Sequence, residues 1–201
     1  MIEVAVTELR RDELTLAGSL LGRAYRDNPL TFALLANDAD LRLRVGAEIH
    51  RLRIASMQPA PLAARRGVAL VGVCGFDPPS GSRMSAEDQR RLLETLSQGG
   101  PDVLRKAQRM VSEFERRAPK GRYWHLGPVG VSPDLQGLGI GGLMAERFCA
   151  RMDAQGEPAY LETDQEKNVR LYEKFGFATV DEALVLGVRM WFMVREPAAR
   201  Q

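Results

Sequence analysis

The stretch QGLGIGG at residues 136–142 decides how the rest of the chain is read, because its glycines admit two alignments. Taken as Gly137-x-Gly139-x-x-Gly142 it fits the dinucleotide-binding fingerprint, and Glu162 follows the last glycine by 20 positions, where that fingerprint places an acid. Taken as Gln136-x-x-Gly139-x-Gly141 it describes a different pyrophosphate cradle. Both alignments make one physical demand: successive amides face the anion, glycines let the backbone approach it, and the start of the following helix adds partial positive charge. No Lys-Ser/Thr pair follows the glycines, which disfavours a nucleoside triphosphate site.

Context separates the two. In the dinucleotide fold the first glycine ends the first strand and further βαβ units follow. Here SPDLQ stands between the strand YWHLGPVGV (123–131) and Gly137, and the 59 residues after Gly142 are too few for the remaining units. Outward from the turn, the pattern predicts a helix IGGLMAERFCARM (140–152) with Ile140, Leu143, Met144, Phe148 and Met152 as its buried stripe. A strand PAYLET (158–163), a short helix KNVRLYEKF (167–175) and two antiparallel strands within FATVDEALVLGVRMWFMVRE (177–196) come next. Upstream, IEVAVTEL (2–9) alternates as a first strand, and two helices are expected over 14–28 and 38–57. GVALVGVCGF (67–76) reads as a central strand, followed by the loop FDPPSGSRMS (76–85). Ser85 with Asp88 starts a helix that ends near Gly99-Gly100-Pro101, and Asp102 is expected to cap the next. These elements amount to a mixed α/β chain organised as one domain over 1–201.

The ensemble VGVSPDLQGLGIGGLM (129–144), PAYLET, and Asn168 with LYEKFGF (171–177) resembles the GCN5-related N-acetyltransferase (GNAT) superfamily. Within it the wording around VGVSPD, PAYLET and the helix holding Asn168 and Tyr172 is most similar to the puromycin N-acetyltransferase type. The likeness covers 123–177, with a looser echo at AYRDNP (24–29). It implies a twisted, mixed but mostly antiparallel sheet of six or seven strands, with a splayed central strand pair and flanking helices. It also implies acetyl-CoA as cofactor. The amides of Gly137, Gly139, Gly141 and Gly142 would hold its pyrophosphate, with Gln136 opening the turn. Val129 and Val131 would pair with the pantetheine arm as if it were a strand, the Val129 amide would donate to the oxyanion, and Asn168 would be a cofactor ligand. Gly127-Pro128 supports the splay on physical grounds, because proline lacks the N–H that a continuous ladder needs.

Acetyl transfer from a thioester to an amine needs a neutral amine, a stabilised oxyanion and a proton for the departing thiolate. A lysine-like amine near 10.4 loses its proton at a cost of about 4 to 5 kcal/mol at pH 7, and an α-amine at about 1 to 1.5 kcal/mol. Two candidate bases rank level. His125 lies six residues before Val131, at a position where histone-modifying members of the superfamily carry a glutamate, and Glu162 lies in PAYLET. Tyr172 and Asn168, four apart, share a helix face, with Leu171 and Phe175 directed to the core. The resemblance makes Tyr172 the general acid toward the thiolate. His50, among Arg51 and Arg53, is expected at the surface. The acceptor side falls to the first two helices and the loops at 25–40 and 76–84, where Tyr25, Asp27, Phe32 and Asp38 stand. The loop at 76–100 has no match to the puromycin type, so the likeness does not assign the acceptor.

Charge and composition exclude other classes. The 28 Lys and Arg nearly balance 26 Asp and Glu, and the basic pairs are scattered, so no nucleic-acid stripe is expected. MIEVAVTELRRDEL lacks the apolar core of a signal peptide and no run of 18 apolar residues occurs, which predicts a soluble cytoplasmic protein without membrane contact. Cys74 and Cys149 have no CxxC spacing or His cluster and are expected to be buried, reduced and uninvolved in metal binding. Direct transfer to a small primary amine, antibiotic-like or polyamine-like, is the leading expectation. A protein lysine or N-terminus as acceptor, or a coenzyme A-binding domain without turnover, are the alternatives. Pairing of VRMWFMV across a two-fold into a homodimer, and a monomer, both stand.

Overall fold

The most apolar run of the chain becomes its most enclosed strand. The computed structural model, which describes residues 3–35 and 38–198, places Val71–Phe76 buried on both faces of a sheet. Neighbouring residues there enter different clusters: Val73 packs with Leu20, Leu21 and Ile54, while Cys74 and Phe76 pack with Met144 and Phe148. Alternation of side chains along a strand makes this unavoidable once helices cover both faces.

The elements in chain order are β1 (Ala5–Glu8), α1 (Leu14–Tyr25), α2 (Pro29–Leu35), α3 (Ala39–Ser56), β2 (Leu62–Arg66), β3 (Ala69–Asp77), α4 (Ala86–Ser97) and α5 (Pro101–Arg117). They continue with β4 (Trp124–Val131), α6 (Ile140–Gln155), β5 (Ala159–Thr163), α7 (Glu166–Glu173), β6 (Ala178–Val185) and β7 (Val188–Arg195). The strands form one sheet in the order β1-β2-β3-β4-β5-β7-β6. Every pairing is antiparallel except β4 with β5, whose crossover contains α6. On the opposite face α1 lies directly on α3: a Cβ added at Gly22 would stand 2.8 Å from the Ala47 backbone. Among the described residues no helix is long and apolar enough to cross a membrane.

Several local expectations need correction. Ile2, placed in the first strand, lies outside the described residues. Neither β2 nor α2 was anticipated. β2 reads LAARR, with too few β-branched residues to register as a strand, yet its alanines are fully buried between β1 and β3. α2 starts at Pro29, which lies just past the end of the helix expected over 14–28 and here occupies the first position of the next helix. Asp102 is not a cap: Gly100, at φ +89°, holds that place, and Asp102 pairs with Arg105 and Lys106. Leu143 is 42% exposed, so the buried stripe of α6 runs through Ile140, Met144, Phe148 and Met152 without it.

Candidate active site

The parallel pair β4–β5 is short. Only Trp124 with Ala159 and His125 with Tyr160 are in register, after which the strands part. The cause lies in β4. Between the pairs Cys74–Val129 and Phe76–Leu126, β3 has the single residue Gly75 where β4 has two, Gly127 and Pro128. This is a bulge of two residues against one, which bends the strand and interrupts its ladder. Beyond the bulge, Ser132 donates to Val71 O, so the alternate residues Val129 and Val131 turn their backbone groups toward the gap. Three of those groups already have partners. The Tyr25 hydroxyl accepts from Val129 N–H and donates to Val129 O, both at 3.0 Å, and Gln136 Nε2 donates to Val131 O at 3.3 Å.

The glycine turn lies at the end of the gap. Gly137 and Gly139 have φ of +81° and +83°, and an added Cβ would meet nothing within 4 Å at either. These two are needed for backbone conformation, whereas Gly141 and Gly142 lie inside α6. Leu143 N–H is bonded to Gly139 O, so the amides of Ile140, Gly141 and Gly142 form the open first turn of the helix. Gap and turn enclose a cavity of about 410 Å³, whose wall also includes Asn168, Tyr172, Lys167 and Lys174. The two lysines, which the sequence reading passed over, add positive charge beside the open helix turn, where an anion would be favoured. Asn168 itself donates to Thr163 Oγ1 at 3.2 Å.

A second cavity, of about 220 Å³, opens on the other side of the splay and shares Tyr25, Asn28, Val129, Asn168 and Tyr172 with the first. Its wall joins the two candidate bases. His125 Nε2 lies 2.8 Å from Glu162 Oε2, and their side chains are 18% and 13% exposed. Burial disfavours charge on His125, but Glu162 and Asp77 outweigh it and push its pKa up to about 9. Burial would raise Glu162, and His125 holds it below the usual carboxylate range. Around Nδ1 stand Arg53 Nη2 at 3.2 Å and Asp77 Oδ2 at 3.7 Å. The ring thus has a neighbour for either state: Arg53 donates to a neutral Nδ1, and Asp77 faces a protonated one.

Other placements differ from expectation. His50 is not a surface residue. It lines the smaller cavity with its ring 4.7 Å from that of Tyr25, and burial beside Arg53 depresses its pKa to about 3. Helical spacing on α3 contained that signal, since His50 follows Gly46 and Ile49 on the wall. Tyr172 belongs to the main core cluster at 7% exposure, packed edge-on against Phe177, and burial raises its pKa well above 10. Leu171 and Phe175 are only partly buried and reach toward Gly142 at the glycine turn, so the core side of α7 is Val169 and Tyr172. Asp27 pairs with Arg26 and Arg42, and Asp38 caps α3, which removes both as free carboxylates. Asp164, not anticipated, accepts from Leu30 N–H at 2.9 Å and fixes α2 against the end of β5. Glu162 stands against His125, away from the glycine turn, which disposes of its reading as a ribose ligand. Both cysteines are buried, and burial pushes the thiol of Cys149 up to about 11 and that of Cys74 higher still.

The Acetyltransferase (GNAT) family model matches residues 34–177. Among solved structures, that of histone acetyltransferase HPA2 and related acetyltransferase from Corynebacterium glutamicum is 20% identical, with a TM-score of 0.74 over 98% of both chains. A GNAT family acetyltransferase from Brucella melitensis in complex with acetyl-CoA is 16% identical, with a TM-score of 0.55 over 100% of this chain and 92% of that one. A Drosophila melanogaster polyamine N-acetyltransferase that forms N-acetylagmatine is 15% identical, with a TM-score of 0.61 over 96% and 100% of the two chains. At these identities the likeness is one of fold. None of these three is described as a puromycin acetyltransferase.

Proposed function

This chain belongs to the GNAT family of acetyltransferases, which use acetyl-CoA, and from that premise we propose that it transfers the acetyl group directly to the primary amine of a small molecule. One observation supports this above the others: the cofactor gap and a closed-in acceptor cavity meet at Tyr25, Val129, Asn168 and Tyr172. The amides of Gly137, Gly139, Gly141 and Gly142 with Gln136 would hold the pyrophosphate, and Val129 and Val131 the pantetheine arm. The Val129 N–H that would meet the oxyanion is occupied by Tyr25 until the cofactor displaces that hydroxyl. The puromycin-type likeness has no support among the relatives above and assigns no acceptor. The single continuous sheet supports reading 1–201 as one domain.

The roles follow from which atoms are free. Both His125 nitrogens face partners, so the amine's proton would pass to the second oxygen of Glu162, with His125 holding the pair in register. The accepting form is ionised Glu162 beside neutral His125, and the apparent pKa belongs to the pair. Tyr172, kept protonated by burial, donates a hydrogen bond that stabilises the thiolate as it leaves. With both thiols buried and protonated, no acyl-cysteine is needed. Tyr172→Phe tests the assignment: kcat for amine-dependent thiol release should fall about 100-fold with acetyl-CoA affinity unchanged. Unchanged kcat would remove Tyr172 from the chemistry.

A further inference from the structure

Resting on the amine-acetylation reading, we infer that the acceptor is a monoamine with a compact apolar body, and that diamines and polyamines are poor substrates. Away from His125, Glu162 and Tyr172, the apolar part of the acceptor cavity's wall is Leu30, Leu34, Leu35, Ile49, Met110 and Met190, beside the uncharged polar groups of Asn28, Thr31 and Thr163. At about 220 Å³ it is smaller than the roughly 300–1,000 Å³ of sites that take drug-sized ligands. A second ammonium entering it would need a carboxylate besides Glu162, whose second oxygen serves the reacting amine, and Asp164 is the other one on the wall. Glu162 is held by His125 at 2.8 Å. Asp164 accepts from Leu30 N–H and from Asn28 Nδ2, and burial raises its pKa.

The remaining charges on the wall are positive. Arg42 is held by Arg26 O at 2.8 Å and by Asp27 at 3.3 Å, and Arg53 stands against His125. His50 stays neutral. A second ammonium, protonated up to about pH 10.4, would therefore leave water for apolar side chains and two guanidinium groups, with only the buried Asp164, which already accepts two hydrogen bonds, to receive it. An alkyl or aryl body gains from the same wall by burial. The Drosophila relative named above forms N-acetylagmatine, whose precursor carries a second cation, so the two chains are expected to part at this wall.

The experiment measures thiol release from acetyl-CoA by the full chain with hexylamine, 2-phenylethylamine, 1,6-diaminohexane and agmatine as acceptors. The monoamines should exceed the equal-length diamine and agmatine in kcat/KM by about tenfold or more, the penalty for an unpaired cation among apolar groups. Equal or better use of the diamine or agmatine would overturn the inference and leave the acetylation reading standing. If acetyl-CoA binds and no amine is turned over, the acetylation reading fails and this inference with it. Ile49→Asp, which adds a carboxylate to the apolar wall, should shift the preference toward the diamine. An unchanged preference in that folded variant would also overturn the inference.

Discussion

At the scale of single residues, the proposed chemistry turns on a proton shared by Glu162 and His125, whose side chains meet at 2.8 Å. The imidazole is charged at neutral pH because its neighbours outweigh burial. The accepting form of the pair accumulates as pH rises through about 9, so amine-dependent kcat/KM should climb with pH and level off above that value. The same shift carries a stability consequence. A histidine raised from about 6.5 to about 9 on folding stabilises the fold fully below 6.5, and that contribution is lost as pH rises through 9. Glu162→Gln removes the neighbour and leaves burial, the largest opposing influence, in control. Followed by the ring proton resonances, His125 should then titrate below 6.5. A titration still near 9 in that variant would refute the coupling. Sequence reading found both residues but ranked them as rivals, since nothing in the spacing of 125 and 162 reveals that two parallel strands set them 2.8 Å apart.

At the scale of elements, α1 supplies a hydroxyl that fills the place proposed for the cofactor arm. Tyr25 satisfies Val129 N–H and C=O as an added strand would. Tyr25→Phe removes that competitor, so acetyl-CoA should bind more tightly by about the worth of one hydrogen bond, 2- to 10-fold in Kd by calorimetry. Unchanged or weaker binding would mean that the arm takes another path. The bulge itself was legible from Gly127-Pro128, because a proline inside a central strand has few other solutions. The Ser85 cap and the periodic helices α1, α3, α6 and α7 were legible for equally local reasons, whereas the cap expected at Asp102 was not formed. β2 and α2 were not, because their identity comes from neighbours. LAARR is a strand because β1 and β3 flank it, and α2 is fixed in place by Asp164, 134 residues away in the chain. His50 was misplaced because the neighbouring Arg51 and Arg53 suggested solvent, while its own side of α3 turns inward.

For the whole molecule, the sheet is nearly divided at the β4–β5 splay, and the cofactor would complete it. Acetyl-CoA at 100 times its Kd should stabilise the fold by about 2.7 kcal/mol, raising Tm by about 5 to 10 °C for a chain of this size. NAD at matched concentration should leave Tm unmoved, since Glu162 faces the acceptor cavity and not the turn. A shift with NAD and none with acetyl-CoA would restore the other alignment of QGLGIGG. The central claim, direct transfer across the gap to a small amine, is tested most directly by initial rates with acetyl-CoA and hexylamine varied together. Intersecting reciprocal plots are predicted, as a ternary complex requires. Parallel plots would place the acetyl group on the enzyme first and contradict the account.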